Sequence, residues 1–297
     1  MFKHAAVALD LSDASEVIVS CLEHFKSFGT EKLTLITSLS HSYPGGASTL
    51  NISGYEEKLD HYKQIAEEQG FETETKLDIG INAYPPAEIL KSAKDAGADW
   101  LILGNRGENK VRELLLGGTA NEILQRADVP VFLLNLGVTG EKDIQQRKLY
   151  CVRSCREMFT HILHPTDFSE IAKRAFETGL ACFTDKAKFW TLLHVQAASR
   201  VNLDNPEEVD KYDREDTQRL TSMQKRLDNA GAAGTRINIR HGAPAEEILQ
   251  EADEQNASMF LMGSQGRGFI ERLFVGGVSL QVSRLSHIPV LLIPAER

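Results

Sequence analysis

Leu101-Ile102-Leu103-Gly104-Asn105-Arg106-Gly107 and Phe260-Leu261-Met262-Gly263-Ser264-Gln265-Gly266 are two versions of one passage, an apolar strand that runs into a glycine-bounded turn. Each continues through nine residues, Glu108 to Leu116 and Arg267 to Val275, to a second glycine pair. Those pairs open Gly117-Gly118-Thr119-Ala120 and Gly276-Gly277-Val278-Ser279, so G-x2-G-x9-G-G occurs twice at identical spacing. The first glycines let a backbone without Cβ turn off the strand and approach a ligand. The second pair starts a helix, whose free N–H groups and positive dipole end suit a phosphate. Taken singly, each glycine could equally be a tight turn and nothing more. The duplicated spacing across a strand-to-helix passage favours a nucleotide site.

The duplication extends outward from these turns. Val7-Ala8-Leu9-Asp10-Leu11-Ser12 matches His164-Pro165-Thr166-Asp167-Phe168-Ser169, 157 positions on. Pro85 to Leu90 matches Pro244 to Leu249, and Val129-Pro130-Val131 matches Ile288-Pro289-Val290, both 159 positions on. A nearly constant offset over both halves marks a tandem repeat. The domains are read as 1–137 and 159–297. A polar linker over 138–158 is read to hold a short helix from about Ile144 to Glu157. Cys151 and Cys155 would share one face of it, as a redox pair or as inert thiols.

Within the second half, hydrophobic periodicity predicts strands at Thr160–Thr166, Phe189–Val195, Thr235–Arg240, Ser258–Met262 and Pro289–Ile293. Helices are predicted at Glu170–Phe183, about Pro206–Ala230, Ala245–Asn256 and from Gly276 through Ser286. Strands alternating with helices imply right-handed βαβ crossovers and a parallel sheet. The fold class expected is α/β, two tandem doubly wound five-stranded parallel domains, Rossmann-like, packed as a pseudo-dimer. In such sheets ligands bind past the strand carboxyl ends, where strand order reverses. The stretch Glu207 to Ala230, with Leu220, Met223 and Leu227, is either a partner surface or a stripe that packs on the sheet. The strands Val129–Leu134 and Ile288–Ile293 are apolar enough to be edge strands in need of pairing.

Composition narrows the function class. The 297 residues are 42% hydrophobic and 25% charged with a net charge of −9, which advertises neither a nucleic-acid partner nor a membrane surface. No apolar run approaches bilayer length, and the N-terminus lacks a signal-peptide pattern. Four cysteines without framework spacing fit a reducing, cytoplasmic setting.

The strand-end acids Asp10 and Asp167, the glycine motif and the closing hydrophobic-Pro-Val strands resemble the universal stress protein family in its tandem two-domain form. That resemblance implies a pocket for ATP or another adenine nucleotide, with Mg²⁺ as a companion ion. Asp167 and the backbone of Val195 would serve the adenine and ribose end, with Pro165 and Thr166 as adjoining nucleotide-binding positions. Gly263, Gly266, Gly276, Gly277, Val278 and Ser279 would serve the phosphates, and Met262 is a further nucleotide-binding position. In the first half the matching residues are Asp10, Gly104, Gly107, Gly117, Gly118 and Thr119. The family usually has Ser or Thr where this chain has Gly118 and Gly277, so a hydroxyl donor is missing there. Ser279 offers one two residues later; Ala120 does not. The second half is therefore expected to be the stronger site. The resemblance also implies edge-to-edge pairing of the two halves, mimicking a family dimer; a homodimer and an unidentified protein partner stay open.

No G-K-[ST] follows the glycines, so the turn is not a Walker A loop. His161 and His164 lie three apart on one strand and make a poor metal pair. His194 is read as a strand-end residue near the pocket. Arg267, Arg272 and Arg284 either favour phosphate approach or are isolated surface charges. The expected function is a nucleotide-binding stress or regulatory factor with little or no hydrolysis. The rivals are an ATPase or nucleotidyl transferase on the same fold and a ligand-free interaction scaffold.

Overall fold

The computed structural model describes residues 1–41, 52–81, 83–105, 116–138, 148–151, 157–197, 205–265 and 276–295. The chain divides into two compact units, Met1–Val152 and Arg153–Arg297. In unit 1 the order is β1 (His4–Ala8), α1 (Asp13–Ser20), a 3-10 segment (Leu22–Phe28), β2 (Lys32–His41), α2 (Ile52–Glu68) and β3 (Glu72–Ile81). It continues with α3 (Pro85–Asp95), β4 (Trp100–Gly104), α4 (Gly118–Arg126), β5 (Val131–Leu134), β6 (Leu136–Val138) and β7 (Leu149–Cys151). Unit 2 runs β8 (Ile162–Pro165), α5 (Glu170–Phe183), β9 (Trp190–Ala197), α6 (Pro206–Asn229), β10 (Thr235–Gly242), α7 (Pro244–Glu254), β11 (Met259–Gly263), α8 (Gly277–Leu285) and β12 (Val290–Ile293).

Both units have one strand order. In unit 1 it is β3-β2-β1-β4-β5 and in unit 2 β10-β9-β8-β11-β12, every pairing parallel. After the third strand the chain returns to the other side of the first, so order reverses between β1 and β4 and between β8 and β11. That reversal opens the crevice in which such sheets hold ligands. Central strands are buried throughout, as β4 (WLIL) and β11 (MFLM) show, because helices cover both faces.

The helices start where capping chemistry allows. Ser169 Oγ accepts the Ala172 N–H at 3.2 Å to cap α5, and Ser12 caps α1 through Ala14 N–H. Asn205 followed by Pro206 opens α6, with Glu207 and Glu208 in its first turn. Leu220 and Leu227 of α6 are fully buried, so its apolar stripe packs against the sheet. In unit 1 the core is aromatic: Phe2, Phe25, Phe28 and Phe132 surround Trp100 with ring centroids 5.1–6.3 Å from it.

The linker reading needs correction. Leu149–Cys151 is a strand, antiparallel to β6 in the register Leu136↔Cys151, Gly137↔Tyr150 and Val138↔Leu149. Cys151 therefore lies on a strand and not on a helix with Cys155, which is outside the described residues. Three residues of alternating character beside a partner strand give too short a signal to separate from a helical turn. Among the described residues no helix is long and apolar enough to cross a membrane.

Candidate functional site

In unit 2 the site starts where β8 stops. The Thr166 N–H donates to Leu193 O at 2.8 Å, holding Thr166 against β9. Phe168 then adopts the left-handed region at φ 59°, and its N–H donates back to Thr166 Oγ1 at 3.0 Å. This reversal lifts Asp167 to the crevice mouth, half-buried, with Oδ1 accepting the Ser169 N–H at 3.0 Å. Val195 lies half-buried on β9 past the last residue of β8. Beside it His194 Nδ1 is 2.6 Å from Thr166 O, which requires an Nδ1–H donor, while Nε2 faces buried Asp216 Oδ2 at 3.4 Å. The imidazole lies 4.7 Å from the Phe168 ring, and the Arg219 guanidinium is 5.2 Å from that ring. His194 is thus a buttress of the Asp167 turn.

The other wall is the passage from β11 into α8. The Ser264 N–H donates to Ile293 O at 2.9 Å and the Gly276 N–H to Ser264 O at 2.7 Å, which brings the start of α8 beside the end of β11. Gly276 is the N-cap and supplies no side chain; the first intrahelical bond runs from Leu280 N–H to Gly276 O at 2.9 Å. A helix leaves its first N–H groups without intrahelical acceptors. Here those belong to Gly277, Val278 and Ser279. A Cβ built on Gly277 would meet nothing within 4 Å, so the amides open onto free space.

Two expected contributions differ in the structure. Gly263 does not keep phosphate space clear. Its Cβ would fall 2.9 Å from Ile171 Cγ2 and 3.1 Å from the Ala172 backbone nitrogen, so it lets β11 lie close to α5. The Ser279 hydroxyl, buried, donates to Gly263 O at 2.8 Å, which commits its one hydrogen and leaves its backbone N–H for a ligand. Arg284 is in the last turn of α8, about 10 Å of helix from the amides, and does not flank them. Met262 is buried within β11, and Pro165 ends β8, also buried. Gly266, Arg267 and Arg272 lie outside the described residues.

Unit 1 repeats the architecture. The Leu9 N–H donates to Ile36 O at 2.9 Å, Leu11 has φ 60°, and the Gly117 N–H donates to Asn105 O at 2.7 Å. Gly117 is an uncapped N-cap, Gly118 opens onto free space, and Thr119 is exposed in the first turn of α4. Gly104 ends β4, half-buried, and Gly107 lies outside the described residues. Around Asp10 the bonding is denser. Its Oδ1 accepts from Ser12 N–H at 3.0 Å, Ser12 Oγ at 2.6 Å and Ser15 Oγ at 2.9 Å. Ser15 Oγ in turn accepts the Asp10 and Leu11 N–H groups at 3.1 and 2.9 Å. Lys58 Nζ of α2 donates to Leu11 O at 2.7 Å.

Sequence reading missed Ser15, Thr166 as an acceptor for Phe168, Asp216 and Lys58. Only the Ser12-x-x-Ser15 spacing at a helix start gave a local hint. The histidines separate as expected: His161 contacts Gln255 O and Thr191 Oγ1, whereas His164 Nδ1 meets Leu261 O at 2.7 Å. Among the described residues no three His, Cys, Asp or Glu side chains converge on a metal position.

Known proteins agree with this architecture. The universal stress protein MJ0577 of Methanocaldococcus jannaschii is 25% identical over 157 residues, 45% of this chain and 95% of its own. The crystal structure of a universal stress protein from Archaeoglobus fulgidus DSM 4304 superposes over 98% of this chain and 97% of its own, with TM-score 0.71 and 24% identity. A universal stress protein from Archaeoglobus fulgidus in complex with dAMP matches 44% of this chain and 96% of its own, at 24% identity and TM-score 0.32. Residues 1–135 and 158–294 each match the universal stress protein family. The chain belongs to that family and carries two of its domains in tandem.

Proposed function

We propose that the chain is a stress or regulatory factor that holds ATP, or another adenine nucleotide, in unit 2 with little or no hydrolysis. The observation that carries the reading is the glycine start of α8, uncapped and open, beside the Asp167 turn at the strand-order reversal. The N–H groups of Gly277, Val278 and Ser279 would meet phosphate oxygens. Asp167 and the Val195 backbone would hold ribose and adenine. Mg²⁺ would travel with the phosphates, since it keeps several waters and asks for few protein ligands. Efficient phosphoryl transfer needs a positioned cation and a base, and no lysine directly follows the glycines in the sequence. Unit 1 is the weaker site on this reading, because it has Ala120 where unit 2 has Ser279 and Ala8-Leu9 where unit 2 has Pro165-Thr166.

The test is titration calorimetry with ATP and AMP, alongside native mass spectrometry of the gently purified chain. Gly277→Asp places a carboxylate where the phosphate would sit, at a helix start that favours negative charge by about 0.3–1 kcal/mol. Its expected result is about 100-fold weaker nucleotide binding in unit 2, because the new carboxylate both occupies the open space and repels the phosphate, with Tm unchanged or raised. Gly277→Ser restores a hydroxyl donor and should tighten binding about threefold to tenfold. Unchanged affinity in Gly277→Asp removes the site.

A further inference from the structure

The fold gives Cys151 a different neighbour from the one its sequence position suggests. Cys21 is the C-cap of α1, at φ −92° and ψ −9°, and is buried. Cys151 ends β7 and is half-buried. Their Sγ atoms lie 3.2 Å apart although 130 positions separate them in the chain. Both are held from independent directions. β7 is registered on β6, whose first N–H, that of Leu136, donates to buried Asn105 Oδ1 at 2.9 Å. α1 is held at its other end by the Ser12 cap and by Ser15 in the Asp10 turn.

We propose that Cys21 and Cys151 are a redox modification site, forming a reversible disulfide in response to hydroperoxides. The more accessible Cys151 thiolate attacks the peroxide oxygen; the O–O bond breaks, an alcohol or water leaves, and Cys151 becomes a sulfenic acid. The Cys21 sulfur then attacks the sulfenic sulfur, the S–S bond forms, and the S–O bond breaks to release water. Overall two thiols lose two hydrogens and one hydroperoxide is reduced to alcohol or water plus water. A dithiol reductant reverses the change by exchange. The two sulfurs are already in contact and need to close by only about 1 Å to reach bonding distance, whereas Cys182 is a half-buried thiol whose pKa burial pushes up.

The consequence lies in the length of chain enclosed. A bond from Cys21 to Cys151 closes a loop spanning almost all of unit 1, Met1–Val152. Loops of that size restrict the unfolded chain strongly, and a Tm rise on the order of 10 °C is expected for unit 1. The bond also ties the far end of α1, whose first turn supports Asp10, to the β6–β7 pair. This inference does not depend on nucleotide binding.

The experiment oxidises the full reduced chain with one equivalent of hydrogen peroxide, blocks remaining thiols with a maleimide, and reads intact mass and a non-reducing peptide map. The expected result is a loss of about 2 Da before labelling, a Cys21–Cys151 linked peptide, two maleimides in place of four, and a dithiothreitol-reversible Tm rise. Cys21→Ser should add oxygen at Cys151 instead of losing two hydrogens, whereas Cys151→Ser, which lacks the attacking thiol, should show neither change at Cys21. A linked peptide joining Cys151 to Cys155, the 2 Da loss persisting in Cys21→Ser, or four labelled thiols after oxidation would each overturn the proposal.

Discussion

The two units make the same bend after their first strand and satisfy it with different residues. Leu11 and Phe168 both take positive φ, 60° and 59°, a conformation that costs a non-glycine residue on the order of 1 kcal/mol and needs support. In unit 1 the support comes from the helix that follows, through Ser15 Oγ to the Leu11 N–H; in unit 2 it comes from the strand that precedes, through Thr166 Oγ1 to the Phe168 N–H. Each unit has an apolar residue where the other has its hydroxyl: Ala172 matches Ser15, and Leu9 matches Thr166. The bend is thus the shared requirement and the acceptor is interchangeable. The choice has a side effect. Ser15 also binds the Asp10 carboxylate, whereas Ala172 has no hydroxyl to offer Asp167.

The largest expected difference between the units is in acid. His164 occupies the position of Val7, fully buried, with Nδ1–H on Leu261 O and Nε2 without a partner among the described residues. Burial pushes its pKa down to about 4, against the weaker upward pull of the Leu261 hydrogen bond and of Asp167. The unfolded chain therefore binds a proton that the folded unit refuses between pH 6.5 and about 4. Stability contributed by neutral His164 is complete above pH 6.5 and is lost as pH falls, by about 3 kcal/mol at pH 4. Hydrogen exchange resolved by unit should show unit 2 weakening across this window. His164→Val, which copies unit 1, should flatten that slope; an unchanged slope would place the acid sensitivity elsewhere.

Next in size is a contrast within one glycine motif. Gly263→Ala should destabilise unit 2 by about 2–3 kcal/mol, since the new methyl meets the α5 backbone at Ala172, which cannot turn aside as a side chain could. Gly277→Ala should leave the unit unchanged or stabilise it by about 0.5–1 kcal/mol, because its space is open and alanine is the better helix residue. Urea unfolding of the two variants measures the difference. Equal effects would mean that the α5–β11 approach is looser than the geometry shows.

Much of this architecture was legible before any coordinates. α5 begins and ends at Glu170 and Phe183 as its periodicity predicts, and α6 stops within a residue of its predicted end. Long amphipathic helices and buried strands write their period into adjacent residues. The glycine starts of α4 and α8 were legible for the same reason, since a helix onset is a local event. Gly263 was read as ligand space because its neighbours, Ile171 and Ala172, are distant in sequence and are placed only by the β8–β11 pairing. The Cys21–Cys151 approach depends on where β7 returns, and the two-residue-period signal of a three-residue strand is too short to reveal it. The hydroxyl exchange between Ser15 and Thr166 was hidden in a different way. The alignment of the halves shows a serine against an alanine and a threonine against a leucine, two unrelated mismatches until one N–H is seen to need either.

That exchange makes the smallest but most specific prediction. Ser15→Ala strands the buried Leu11 N–H and should cost unit 1 about 1–3 kcal/mol; Leu9→Thr alone loses buried apolar surface and gains little. Combined, the new threonine can accept the Leu11 N–H as Thr166 accepts that of Phe168, so the pair should cost about 1 kcal/mol less than the sum of the singles. The mirror cycle in unit 2, Thr166→Val with Ala172→Ser, should show coupling of the same sign. Both cycles are read from hydrogen exchange of the two units. Strict additivity in both would show that the bend is held by packing, with the hydroxyls as bystanders. Coupling in unit 1 would give a further result: Asp10, released from Ser15 in the combined variant, should then bind nucleotide more tightly than in the parent chain, because its carboxylate has lost one intramolecular donor.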